Sequence, residues 1–169
     1  MKSANPIEIC FIDFFAYPLF NSRSKIVFGG AQIQLYLLAK ELAKDKNFDI
    51  SFLTDNRQDY SKKETFGKIK VYLFLRSKPS RSYTGIIGNL TFFLSLLNSL
   101  LNKLLLFNHL KFFISLLIQL KKINAHIYIQ RAASAETGLI AIVAKLLGKK
   151  FIFMSAHEQD VNGDFVKKN

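Results

Sequence analysis

Ile7-Glu8-Ile9-Cys10-Phe11-Ile12-Asp13-Phe14 opens the stretch that decides the fold, which runs on through Gly29-Gly30-Ala31-Gln32 to Lys46. Its first part is a nearly continuous apolar run, the pattern of a strand covered on both faces by helices. From Ala31 to Lys46, Leu35, Leu38, Ala39 and Leu42 recur at the i, i+3, i+4, i+7 spacing of a packed helix, with Lys40, Glu41 and Lys44 elsewhere. A loop from Phe15 to Phe28 joins the two. Gly29 and Gly30 let backbone N–H groups come close to a ligand with no Cβ in the way, and the helix behind them turns its positive end toward it. A phosphate or sugar site is one reading. A tight loop-to-helix turn is the other.

Outward from that unit, Asp49 to Thr54 reads as a second strand and Ile69 to Leu75 as a third, joined by a polar, charged, loop-like connection. A long helical region, 84 to 123, leads to a strand from His126 to Gln130. Ser134 then reads as the N-cap of a helix from Ala135 to Leu147, with Gly148 as its stop and Lys150 to Ser155 as a further strand. Strands alternating with helices in this way imply right-handed βαβ units in an α/β, Rossmann-like open parallel sheet with helices on both faces. Ligands of such sheets bind beyond the carboxyl ends of the strands where strand order reverses. That rule nominates three loops: Phe15 to Gly30, Arg131 to Ala133 and Ala156 to Asp164.

The 169 residues suit one α/β domain, and half of them are apolar, which excludes a disordered chain. The formal net charge of +12 favours anionic partners. Much of that excess lies between Tyr60 and Tyr83, where a solvated loop and strand edge account for it. No recognised motif or basic helix interleaved with aromatics supports nucleic-acid binding. Cys10 has no disulfide partner and reads as a small buried hydrophobe in a reducing compartment. Glu8 and Asp13 interrupt the only early apolar run, so no signal peptide is visible and a cytoplasmic location is the expectation.

Between Thr84 and Asn102 no residue is charged, and 104 to 120 holds only His109 and Lys111 as ionisable groups. About 20 apolar residues span a bilayer. Asn89, Asn98, Asn102, Asn108 and Gln119 are spread along the segment, and it lies between two strands of one sheet, which argues against a membrane hairpin. Two helices broken near Phe107 to His109 are expected, partly packed on the sheet. They leave either plain core helices or an apolar surface that Lys103, Lys111, Lys121 and Lys122 would seat on an anionic membrane.

The last loop carries His157, Glu158, Asp160 and Asp164 just past a buried strand, where each could move a proton or bind sugar hydroxyls. A structural histidine and solvating acids are the alternative. His157, Glu158 and Asp160 lack a recognised metal-ligand spacing, and 160 to 164 is too short for a calcium loop, so no metal is expected. Asp55 stands where a ribose-binding acid would, but the G-x-G-x-x-G turn directly after the first strand is missing. P-loop and nucleophile-elbow motifs are absent as well.

Four patches together resemble the amino-terminal domain of the family 4 glycosyltransferases, which have the GT-B fold. They are Gly29-Gly30-Ala31-Gln32, Leu38-Ala39-Lys40-Glu41-Leu42, His126-Ile127-Tyr128-Ile129-Gln130-Arg131, and the strand and loop from Phe151 to Gly163. The resemblance implies a retaining, metal-free sugar transfer between two Rossmann-like domains. The donor is a nucleotide-sugar co-substrate and the acceptor a glycan or a lipid-linked sugar. It implies that Gly29, Gly30 and Gln32 lie against donor phosphates and acceptor, that Gln130 and Arg131 face the cleft, that His157 contacts the donor sugar near the reacting carbon, and that Glu158 and Asp160 bind substrate hydroxyls. It further implies peripheral binding to the inner face of the cell membrane. The family's nucleotide-sugar half has no counterpart in 1–169, so an incomplete, acceptor-side domain that is inactive alone is the expectation. The competing expectation is a non-catalytic Rossmann-like module for an anionic metabolite or membrane surface.

Overall fold

The computed structural model describes residues 5–20, 29–55, 63–74, 110–131, 133–134 and 136–156. Its elements are β1 (Ile7–Ile12), α1 (Tyr17–Phe20), α2 (Gly30–Leu42), β2 (Phe48–Asp55), β3 (Lys63–Phe66), β4 (Ile69–Phe74), helix α3 over 110–123, β5 (Ile127–Arg131), α4 (Thr137–Leu146) and β6 (Lys150–Met154). The six strands form one sheet in the order β3-β4-β2-β1-β5-β6, and every neighbouring pair is parallel except β3 with β4.

The apolar run that opens the chain is explained by two cores, one on each face of the sheet. Because side chains alternate along a strand, Ile9 and Phe11 of β1 enter the core beneath α2, with Ile50 and Phe52 of β2, Val71 of β4 and Ile129 of β5. Cys10 and Ile12 enter the other, with Leu53, Tyr128, Leu116 and Leu120 of α3, and Ile140, Val143 and Ala144 of α4. Each fully buried aliphatic or aromatic side chain of this kind contributes about 1.5–3 kcal/mol relative to exposure. The Tyr128 hydroxyl reaches across the second core and donates to the Leu120 carbonyl at 2.7 Å, so the polar tip of a buried ring is satisfied.

The placement of the helices follows from crossover handedness. From β1 the chain steps to β2 and β4 in one direction, then returns past β1 to β5 and β6. Right-handed crossovers in opposite directions put their helices on opposite faces. Accordingly α2 covers one face, and α3 and α4 the other. Helix α3 ends at Asn124, whose φ of 54° places it in the left-handed region and whose N–H caps the Leu120 carbonyl at 2.8 Å. Gly148 does the same work after α4, at φ 68°.

Three local expectations are corrected. The connection between the second and third expected strands holds β3, which turns back onto β4 through Gly67 at φ 60°. Its polar sequence hid it, since Lys63 and Thr65 are exposed and only Phe66 packs inward, against Phe20. Part of the loop after β1 is the single turn α1, pinned by Phe20 in the first core. Helix α4 begins at Thr137 with Glu136 as N-cap and no side-chain cap, so Ser134 does not cap it. The expected helix from Ala31 to Lys46 runs Gly30–Leu42, on the apolar face expected for it: Leu35 and Ala39 are buried, and Leu38 and Leu42 pack beside them. The expected break near 107–109 lies outside the described residues.

Candidate functional site

Strand order reverses between β1 and β5, so the crevice that this fold offers a ligand lies beyond the carboxyl ends of those two strands. β1 pairs with β2 through Phe11↔Phe52 and with β5 through Phe11↔Ile129. Two residues further along each strand come Asp13, Thr54 and Arg131, on the side of the sheet that α2 covers. Gln130, one residue earlier, lies on the other side, level with Ile12.

Asp13 is nine-tenths buried. Its Oδ1 accepts the Phe15 N–H at 2.8 Å, which holds the chain in a turn as it leaves the strand, and its own N–H donates to the Leu53 carbonyl at 3.0 Å. Burial pushes the Asp13 carboxyl above the usual carboxylate range, and the Phe15 hydrogen bond offsets part of that rise. Beside it, the Thr54 hydroxyl is fully buried and has no hydrogen-bond partner among the described residues. The Arg131 Nε is likewise buried and without one.

Gln130 is 5% exposed, and its Nε2 donates to the Ser134 hydroxyl at 3.1 Å while its Oε1 has no partner among the described residues. Turning the amide over would leave Nε2 unpaired instead, so one end stays open in either orientation. Ser134 is tied to the start of α4, because its N–H donates to Thr137 Oγ1 at 2.9 Å and the two hydroxyls lie 3.3 Å apart. Buried polar atoms left unpaired cost about 1–3 kcal/mol each. Three of them, Thr54 Oγ1, Gln130 Oε1 and Arg131 Nε, fall at the carboxyl ends of β2 and β5.

Helix α2, whose apolar face lies over β1 and β2, starts at this end of the sheet. Gly29 is its N-cap in extended conformation (φ −75°, ψ 153°), with no side-chain cap, and both glycines are exposed. The first N–H groups of a helix lack intrahelical partners. A Cβ on Gly30 would meet no atom within 4 Å, whereas one on Gly29 would come within 2.5 Å of the Gln32 Oε1, so Gln32 folds back over the helix start. Neither glycine is required by a left-handed backbone, and openness is what the pair provides.

The sequence-derived candidates divide accordingly. Gly29, Gly30 and Gln32 lie at the start of α2, and Gln130 and Arg131 at the end of β5. His157, Glu158, Asp160 and Lys103 lie outside the described residues. Lys111, Lys121 and Lys122 are exposed on α3, which packs on the face of the sheet opposite α2. Asp13 and Thr54 are additions that the sequence reading missed. Asp13 breaks the first apolar run at the strand end, which was the available signal. Among the described residues no cluster of His, Cys, Asp and Glu could hold a metal, and no helix is long and apolar enough to cross a membrane.

A parallel sheet with a crevice at its strand-order reversal, a glycine-opened helix start and a basic strand end defines a Rossmann-like domain. The fold matches that of MurG from Acinetobacter baumannii, a glycosyltransferase of the GT-B fold, with a TM-score of 0.53 and 14% sequence identity, over 95% of this chain and 40% of that one. The chain therefore spans about two-fifths of that protein's length and shares its α/β, Rossmann-like architecture over that part. No protein-family model and no curated protein matches the sequence.

Proposed function

We propose that this chain is the acceptor-side half of a GT-B glycosyltransferase, of family 4 or a close relative, and that the crevice beyond β1 and β5 holds a phosphorylated or lipid-linked sugar acceptor. The observation that carries the reading is the set of buried polar atoms without a partner among the described residues at the strand ends, Thr54 Oγ1 and Arg131 Nε on the α2 side of the sheet and Gln130 Oε1 on the other, in a fold shared with MurG. An arginine supplies a permanent positive charge and directed donors for a phosphate. The open helix start at Gly29-Gly30 adds backbone N–H groups and a positive dipole end, and the Gln130 amide and Thr54 hydroxyl suit sugar hydroxyls.

In this reading His157, Glu158 and Asp160 follow β6 into the same cleft, His157 against the donor sugar and the two acids on substrate hydroxyls. The nucleotide of the donor is held by a carboxyl-terminal domain outside 1–169, and the chain alone does not turn over substrate. The protein works on the cytoplasmic side of the membrane, held peripherally by α3. There Leu110, Ile114 and Ile118 form an exposed apolar stripe, and Lys111, Lys121 and Lys122 fall beside it on the helix.

Calorimetric titration with a short-chain glycosyl diphosphate tests the acceptor assignment. Binding is expected, with Arg131→Ala weakening it about 10- to 100-fold, the worth of a lost charge-assisted hydrogen bond. Gly30→Val should weaken it too while leaving the melting temperature near that of the parent, since the added side chain projects into open space. Equal affinity in all three proteins, or tighter binding of a free nucleoside diphosphate than of the glycosyl diphosphate, would contradict the assignment.

A further inference from the structure

Phe14 packs against Phe74 and Phe112 in the core under α3, and Phe20 against Tyr36, Phe52 and Phe66 in the core under α2. Phe15, between them in the chain, is 59% exposed and has no ring or cation against it among the described residues. Its backbone is fixed from both sides. Phe14 is buried in one core and Ala16 in the other, the Phe15 N–H donates to Asp13 Oδ1 at 2.8 Å, and the Ala16 N–H donates to the Asp13 carbonyl at 3.3 Å. The ring is therefore held in water by a turn that the two cores anchor.

The ladder between β1 and β2 runs as far as Phe14, whose carbonyl accepts the Asp55 N–H at 3.2 Å. Phe15 is the first residue beyond the sheet, at the reversal of strand order. Arg131 stands level with Asp13 on the neighbouring strand, one interstrand spacing of about 4.8 Å away. An asparagine would accept the Phe15 N–H without the cost of burying a carboxyl, which burial holds above its ordinary range. Stability alone accounts for neither the exposed ring nor the buried acid that holds it.

We propose that Phe15 is the platform on which the sugar ring of the acceptor stacks. This rests on the acceptor reading above and adds to it the group that recognises the sugar. A pyranose carries C–H groups across its faces and hydroxyls around its rim. One face can leave water against an aromatic ring while the rim keeps its hydrogen bonds, the mix of apolar lining and a few polar groups that ligand sites use. The phosphate end then meets Arg131 and the open start of α2. A lipid chain needs a continuous apolar path, whereas the residues level with the end of β1 are Asp13, Thr54 and Arg131. A bare phosphate makes no use of a ring.

The chain contains no tryptophan, so Phe15→Trp places a single fluorophore at the platform and keeps a stacking ring. Its emission in the free protein should be that of a water-exposed indole. A short-chain glycosyl diphosphate should move the emission to shorter wavelength, and inorganic pyrophosphate should not. Phe15→Ala should weaken the glycosyl diphosphate about tenfold, the scale of a lost aromatic contact, with pyrophosphate affinity and melting temperature near the parent values. Leu146→Ala, which removes an exposed side chain from the last turn of α4, should leave both affinities unchanged. Emission already blue-shifted without ligand would show the ring covered by the chain itself and overturn the proposal. So would equal binding of the glycosyl diphosphate to the parent and Phe15→Ala, or an equal shift with an alkyl diphosphate of the same chain length, which would assign the ring to the lipid. Those three results leave the acceptor reading standing, whereas a parent protein that binds no glycosyl diphosphate removes that reading and the platform together.

Discussion

At Asp13, burial makes ionisation of the side chain work against the folded state. Its carboxyl is raised by burial, so the folded state binds its proton more readily than the unfolded chain does. The stability it contributes is full below the ordinary carboxylate range and is lost as pH rises through the raised value of the folded state. Asp13→Asn keeps an oxygen to accept the Phe15 N–H and removes the charge. The variant should therefore be more stable than the parent in denaturant unfolding at pH 7, with the difference shrinking toward pH 4. A difference that grew on acidification would show the carboxylate to be stabilised in the fold. Cys10 was legible as a buried hydrophobe, and burial with no charged partner pushes its thiol up to about 12, so labelling at neutral pH should wait for unfolding. Asp13 was not legible as a site residue, because a lone acid at a strand end acquires its meaning from Thr54 and Arg131. Those come from strands 41 and 118 residues away, distances that no local pattern spans.

At the scale of elements, apolar periodicity found β1, α2, β4 and β5 to within one to four residues at each end, since each presents a whole face or two to a core. It failed where an element is held by its neighbours rather than by its own pattern. The sequence of β3 is half charged, and the strand exists because the Gly67 turn lays it along β4. Ser134 carries the right side chain for an N-cap, but its hydroxyl is taken by Gln130 and Thr137, and the helix starts later. The glycine stop of α4 was legible and is required by its left-handed backbone. Gly148→Ala should lower stability by about 1 kcal/mol through the cost of that conformation for a residue with a Cβ. Leu120→Ala should cost about 2–5 kcal/mol, as it opens a cavity in the core beneath α3. Both are read from chemical denaturation midpoints.

At the scale of the whole molecule, the alternation of strands and helices carried the fold class, and the reversal of strand order at β1 then fixed the crevice. The apolar excess between 110 and 123 is divided between the second core and an exposed stripe, which the amphipathic reading anticipated. If that stripe seats the protein on a membrane, the chain should float with anionic vesicles in low salt. Lys121→Glu with Lys122→Glu should abolish flotation and leave the unfolding midpoint near the parent value, because both lysines are exposed. Flotation unaffected by the double change would place the contact elsewhere.

The central claim is that the crevice beyond β1 and β5 binds a sugar bearing phosphate. An amide-resolved NMR titration of the chain with a glycosyl diphosphate tests it most directly. The largest shifts should fall on Gly29, Gly30, Gln130, Arg131 and Ser134, with β3 and the amino-terminal ends of the strands unmoved. Shifts confined to the lysines of α3, or a spectrum that the compound leaves unchanged at saturating concentration, would contradict the account.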